Sequence, residues 1–140
     1  MRHSNEGYQM TLFDIPAQEH VVNVASVPQR SPFRYPGGKT WLVPRIRQWL
    51  TSLVKPPSLL VEPFAGGASI FFAKPKVKHN WLNDIDKDLV NCLIVIRDYP
   101  NQLIDRLKDE IATKERHAFY KNEFKPKTKM DKAVRWYYLN

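Results

Sequence analysis

Glu62, the glycine pair Gly66-Gly67 and the acids Asp84 and Asp86 are the residues of this chain whose types and spacing could do chemistry. In the turn Phe64-Ala65-Gly66-Gly67-Ala68-Ser69, two adjacent glycines remove the side chains that would keep a bulky ligand off the backbone. The turn is therefore a floor for a ligand. About twenty residues further on, a βαβ ligand fold keeps an acid for ribose hydroxyls, and Asp84 or Asp86 stands in that place. That spacing suits a nucleoside. A dinucleotide fingerprint would need G-x-G-x-x-G, and the charge of Glu62 just before the turn would repel a pyrophosphate. The better fit is a nucleoside with no phosphate and a positive charge, and S-adenosylmethionine carries both a sulfonium and an ammonium.

These residues need elements to hold them. Leu59-Leu60-Val61 is short, branched and apolar, as a strand buried on both faces of a parallel sheet would be, with Glu62 at its carboxyl end. Ala68 to Ala73 predicts a short helix stopped by Pro75, and a second strand is expected around His79 to Leu82. Upstream, Ser31 to Thr40 reads SPFRYPGGKT: the prolines hold it extended, and Gly37-Gly38 before a helix frees backbone N–H groups for a ligand, with Lys39 beside them. Leu42, Ile46, Trp49, Leu50 and Leu53 repeat at helical spacing, with Pro44 tolerable only in the first turn. The loop has no Walker spacing, which argues against a triphosphate site. Downstream, Leu89, Val90, Leu93 and Ile96 predict a helix capped by Asp86 or Asp84 and ended at Tyr99-Pro100. Leu103, Ile104, Leu107 and Ile111 predict another. An aromatic, basic run from His117 to Phe124 and a last helix from Met130 to Tyr137 complete the pattern.

The chain has 140 residues and a net charge of +8. From Ser31 onward it holds 20 bases against 11 acids, so the basic part is the part with apolar periodicity. An excess of this kind favours an anionic polymer as partner. Cys92 is the single cysteine, which excludes an internal disulfide and a cysteine-based zinc cage and agrees with a reducing cytoplasm. No apolar run approaches the roughly 20 residues that span a bilayer, and no signal-peptide pattern opens the chain. Residues 1–30 are polar and aperiodic, and they are expected to be a flexible arm; residues 31–140 are expected to fold. Within the arm, Gln9-Met10-Thr11-Leu12-Phe13 resembles the peptide by which bacterial replication and repair proteins dock on the DNA sliding clamp, with Gln9 as anchor and Leu12 and Phe13 in an apolar pocket.

Three motifs then stand in one order: Phe33-Arg34-Tyr35-Pro36-Gly37-Gly38-Lys39, Glu62-Pro63-Phe64-Ala65-Gly66-Gly67-Ala68-Ser69, and Leu82-Asn83-Asp84-Ile85-Asp86. Together they resemble the amino-terminal half of Dam-type adenine-specific DNA methyltransferases, and Trp136-Tyr137-Tyr138-Leu139-Asn140 resembles the segment that precedes the family's DNA-recognition region. The resemblance implies an α/β chain carrying part of a Rossmann-like S-adenosylmethionine-dependent methyltransferase fold, acting on double-stranded DNA in the restriction-modification manner. It also implies roles. Tyr35 would pack on the cofactor, Lys39 next to Gly38 would reach its carboxylate, Phe64, Ala65 and Gly66 would line it beside Glu62, and Asp84 would hold its ribose. Asp86 is expected to cap a helix instead.

One departure limits these expectations. The family's chemistry uses an Asp-Pro-Pro-Tyr segment that takes hydrogen bonds from the adenine amino group and stacks on the flipped base. This chain has none: Pro56-Pro57 follows Lys55, and an ammonium cannot accept a hydrogen bond. The expectation is therefore the cofactor-binding half of an N6-adenine methyltransferase, inactive alone, with further strands of the sheet supplied after Asn140 or by a second polypeptide. The alternative is a noncatalytic module that binds DNA or the clamp, with the basic stretch from Lys114 to Arg135 on phosphate.

Overall fold

The computed structural model describes residues 31–140, so the arm expected at residues 1–30 and its Gln9, Leu12 and Phe13 lie outside the described residues. Two compact units make up the rest. The first comprises 31–32 and Gly38–Leu82, and the second Phe33–Gly37 and Asn83–Asn140.

In the first unit a 3-10 turn at Thr40–Leu42 leads into helix α1, Val43–Ser52, with Pro44 in its first turn where the missing N–H costs nothing. Val43, Ile46 and Leu50, spaced by three and four, are its buried stripe. Strand β1, Leu59–Glu62, helix α2, Ser69–Ala73, and strand β2, His79–Leu82, then form a β-α-β unit. The strands pair in parallel, Leu59 with His79 through Glu62 with Leu82. The expectation of a strand buried on both faces is corrected: Leu59 is 51% and Val61 48% exposed, and Trp81 on β2 is 66% exposed. Partners across a parallel pair share a face, so Leu59, Val61, His79 and Trp81 make one open face while Glu62 turns to the covered one. The described residues thus combine helices with a small parallel two-stranded sheet, compatible with part of a methyltransferase fold.

The second unit is helical. It holds α3, Lys87–Asp98, α4, Pro100–Leu107, α5, Lys114–Ala118, a π-type turn at Phe119–Glu123, and α6, Lys129–Leu139. Its core is Phe33, Leu89, Cys92, Val95, Leu103, Tyr120, Ala133 and Val134, with α3 against α6 as its main seam. Each large apolar side chain buried there contributes about 1.5–3 kcal/mol. Phe33 enters from far upstream and meets Trp136 edge-on at 4.8 Å and Tyr137 at 5.8 Å. Asp86 caps α3 by accepting the Asp88 and Leu89 N–H groups at 3.0 and 3.1 Å. Thr128 and Asp131 form a reciprocal capping box on α6. The helix expected to run on to Ile111 stops at Leu107, and Ile111 is 73% exposed. The physical reason lies in Glu110, which sits in a turn donating its N–H to Leu107 O and reaches Arg116 and Tyr120, as it could not from a continued helix.

Candidate functional site

Beyond the carboxyl end of β1 the chain must turn sharply into α2, and it does so through two left-handed residues, Gly66 (φ 53°) and Ala68 (φ 55°). An L-residue in that region is strained, so Ala68 is an outlier held by its surroundings: it is fully buried and donates its N–H to Ala65 O at 2.9 Å. Ala65 and Gly67 are buried as well, whereas Gly66 is half-buried and Phe64 is 76% exposed. The surface offered by the turn is thus Phe64 and Gly66. Ser31 Oγ donates to Gly67 O, and Lys39 Nζ donates to Phe64 O, which ties the lysine of the glycine loop to the turn.

Glu62, the last residue of β1 before this turn, is only 8% exposed. Its Oε1 has no hydrogen-bond partner among the described residues. Burial pushes its carboxyl above the ordinary range, opposed by the ammoniums of Lys39 and Lys74 and by the Phe71 backbone N–H. The Lys74 ammonium is in turn lowered by burial, and Glu62 partly offsets that. A buried acceptor left unmade costs about 1–3 kcal/mol. The turn therefore holds a carboxylate suited to a cation that brings its own hydrogens. Sequence reasoning missed Lys74, since nothing local to it signals that its ammonium acts on Glu62.

The remaining site candidates fall in the second unit. Tyr35 Oη donates to Asp86 Oδ2 at 3.3 Å, and its ring lies 6.3 Å from that of Trp136. Burial, and then the charges of Asp86 and Asp84, raise the Tyr35 hydroxyl above its ordinary value. Asp84 is half-buried and accepts the Asp86 N–H at 3.1 Å, so the two acids are linked in series into the α3 cap. Asp86 does the capping, as its position predicts. Gly38 is exposed beside Lys39 in the first unit.

A further polar cluster was not anticipated. Arg116 grips Glu110 with two hydrogen bonds of 2.6 and 2.5 Å, and Tyr120 Oη donates to the same carboxylate at 2.5 Å. Burial and the Glu110 carboxylate push the Tyr120 hydroxyl up to about 12. Its partners saturate one another, so the cluster is a brace between α5 and the turn before it. Cys92 is buried, and its thiol is likewise pushed up to about 12, which makes it a core residue and not a nucleophile. Among the described residues no helix is long and apolar enough to cross a membrane.

A family model described as "D12 class N6 adenine-specific DNA methyltransferase" matches residues 35–140. Among curated proteins, the chain is 31% identical over 107 residues to the type II methyltransferase M.CviBI of Paramecium bursaria Chlorella virus NC1A, covering 76% of this chain and 40% of that protein. It is 28% identical over 128 residues to the DNA N-6-adenine-methyltransferase of Escherichia phage P1, covering 88% of this chain and 16% of the relative. It is 38% identical over 77 residues to the type II methyltransferase M1.LlaDCHI of Lactococcus lactis subsp. cremoris, covering 54% and 26%. The chain therefore spans well under half the length of each of these relatives. No solved structure matches it.

Proposed function

The chain belongs to the D12 class of N6 adenine-specific DNA methyltransferases, and we propose that it carries the S-adenosylmethionine-binding part of a site-specific enzyme that methylates adenine N6 in duplex DNA. The observation that supports this most directly is the buried, unpartnered Oε1 of Glu62, at the end of β1 just before a turn of small residues. The cofactor, when bound, supplies an electrophilic methyl group on a sulfonium, and its ammonium is a donor of the kind Glu62 lacks. In the first unit we assign to it Glu62, the exposed ring of Phe64, and the backbone of Ala65 and Gly66. We assign to it as well the exposed Gly38 and its neighbour Lys39, whose ammonium would exchange the Phe64 carbonyl for a ligand carboxylate. In the second unit, Tyr35 offers a stacking ring and Asp84 a carboxylate for ribose hydroxyls.

The 140 residues contain no Asp-Pro-Pro-Tyr, so nothing in them accepts hydrogen bonds from the adenine amino group in the family's manner. The chain alone is accordingly proposed to bind the cofactor and to turn nothing over. Incubated with radiolabelled S-adenosylmethionine and adenine-containing duplex, the purified chain should transfer no methyl groups above background. Catalysis would need Asp-Pro-Pro-Tyr from further sequence of the same protein or from a second polypeptide. The protein is proposed to act in the cytoplasm. The island Gln9, Leu12 and Phe13 is proposed to dock on a sliding clamp, on its sequence alone.

The assignment of the cofactor is tested by calorimetric titration of the chain with S-adenosylmethionine. Asp84→Asn keeps an oxygen for the Asp86 N–H but gives up the charge, and it should weaken binding about tenfold with an unchanged circular dichroism spectrum. Equal affinity in wild type and variant would remove Asp84 from the site, and no heat with wild-type protein would remove the cofactor.

A further inference from the structure

Lys114 to Arg135 holds eight bases and three acids, and the structure sorts them into two kinds. Some are already engaged. Arg116 is held by Glu110, Asp131 pairs with Arg106 at 3.0 Å, and Arg135 donates to the carbonyls of Tyr120 at 2.8 Å and Lys121 at 3.2 Å. Lys121, Lys125, Lys127, Lys129 and Lys132 are exposed, and none forms an ion pair among the described residues. Glu115 and Glu123, also exposed, are the two acids of the stretch that form no ion pair among the described residues.

These five lysines sit on a bend whose backbone is fixed from both sides. Phe124 N–H closes on Phe119 O at 2.8 Å, and Asp131 Oδ2 accepts the N–H groups of Lys127 and Thr128 at 3.3 and 3.1 Å. Asn91 on α3 donates to Lys129 O at 2.9 Å. The fold thus spends Asp131 and the Asn91 amide on holding the main chain of the bend and leaves the five ammoniums to solvent. A surface that gathers like charges and neutralises none of them stores self-repulsion, which a polyanion relieves. Because the main chain is already ordered, binding adds no cost of ordering the bend beyond the freedom of the lysine stems.

We propose that the bend from Lys121 to Lys132 is a sequence-independent clamp on the phosphate backbone of duplex DNA, separate from cofactor binding. This rests on the DNA-methyltransferase reading for the identity of the polyanion. The contact positions the duplex and carries no base specificity.

The test measures binding of the full chain to a fluorescein-labelled duplex by anisotropy across a salt series. Each phosphate neutralised contributes about 0.9 to the slope of log K against log salt concentration. The triple variant Lys125→Gln/Lys127→Gln/Lys129→Gln should lower that slope by about 2.7 and weaken binding at least about tenfold at moderate salt. The triple variant Lys55→Gln/Lys76→Gln/Lys78→Gln removes the same charge from exposed positions of the first unit and should leave the slope unchanged. Equal effects of the two variants would reduce the bend to general charge and overturn the proposal, as would no effect of the first. Calorimetry with S-adenosylmethionine on the same proteins separates the two readings. Cofactor binding with DNA binding that ignores the bend overturns the clamp alone, whereas loss of both in wild-type protein overturns the methyltransferase reading with it.

Discussion

Leu89→Ala is expected to destabilise the helical unit by about 2–5 kcal/mol. Leu89 is fully buried on α3 and belongs to the cluster that also holds Cys92, Val95, Ala133 and Val134. Two of those neighbours are alanine or cysteine, too small to move into the space left, and α3 is fixed at one end by the Asp86 cap, so the cavity cannot close by sliding the helix. The removed methylenes lose their transfer energy and the lining loses its dispersion contacts. Urea unfolding followed by far-ultraviolet circular dichroism measures the change. Trp136 fluorescence assigns it, once the other three tryptophans, all in the first unit, are replaced by phenylalanine. Leu89→Met, which nearly conserves volume, should cost less than about 1.5 kcal/mol. On the neighbouring helix, Ile104→Ala, at a side chain 60% exposed, should stay within about 0.5 kcal/mol. A loss under about 1 kcal/mol at Leu89 would mean that α3 and α6 do not share this core.

Residues whose job is local were legible. Pro44 sits in the first turn of α1, the short helix ends before Pro75, and Asp86 caps α3, because each depends only on neighbours within four positions. Thr128 with Asp131 three residues on carries the same kind of local signal, a capping box. What could not be read depends on distant partners. The spacing from Leu103 to Ile111 continues a helical stripe, yet the chain breaks at Leu107 because Glu110 finds Arg116 and Tyr120. Likewise, nothing in Leu59-Leu60-Val61 says whether helices cover both faces or one, and Leu59 and Val61 stand on the open face. The loop read as one motif, Phe33 to Lys39, divides: Phe33 and Tyr35 join the helical unit through rings more than a hundred residues downstream, while Gly38 and Lys39 go with the turn after β1. At the candidate site the sequence supplied the residue types. It had no way to supply the missing hydrogen bond at Glu62, since an absence is a property of the packed interior alone.

That missing bond leads to the sharpest expectation for the site: Glu62→Gln should make the fold more stable near neutral pH and the cofactor bind about 10 to 150-fold more weakly, as loss of a charged hydrogen-bond partner would. The two effects have one origin. Burial raises the Glu62 carboxyl above its ordinary value of 4.5, so the folded chain holds this proton more tightly than the unfolded chain does. The destabilising charge is absent below about 4.5 and develops as pH climbs from there through the raised folded value. Wild-type stability should therefore fall across that window, while Glu62→Gln, which has no charge to bury, should lack this fall. Cofactor binding runs with the opposite sign. A cation next to the carboxylate favours its ionised form, so affinity of wild type should rise through the same window with release of a proton, and the glutamine variant should show neither the rise nor the proton. Calorimetry in two buffers of different ionisation enthalpy reads the proton directly. Were the glutamine variant to bind S-adenosylmethionine as tightly as wild type while gaining stability, Glu62 would be a burden of the fold with no ligand to justify it, and the cation it faces would be Lys39 or Lys74 alone.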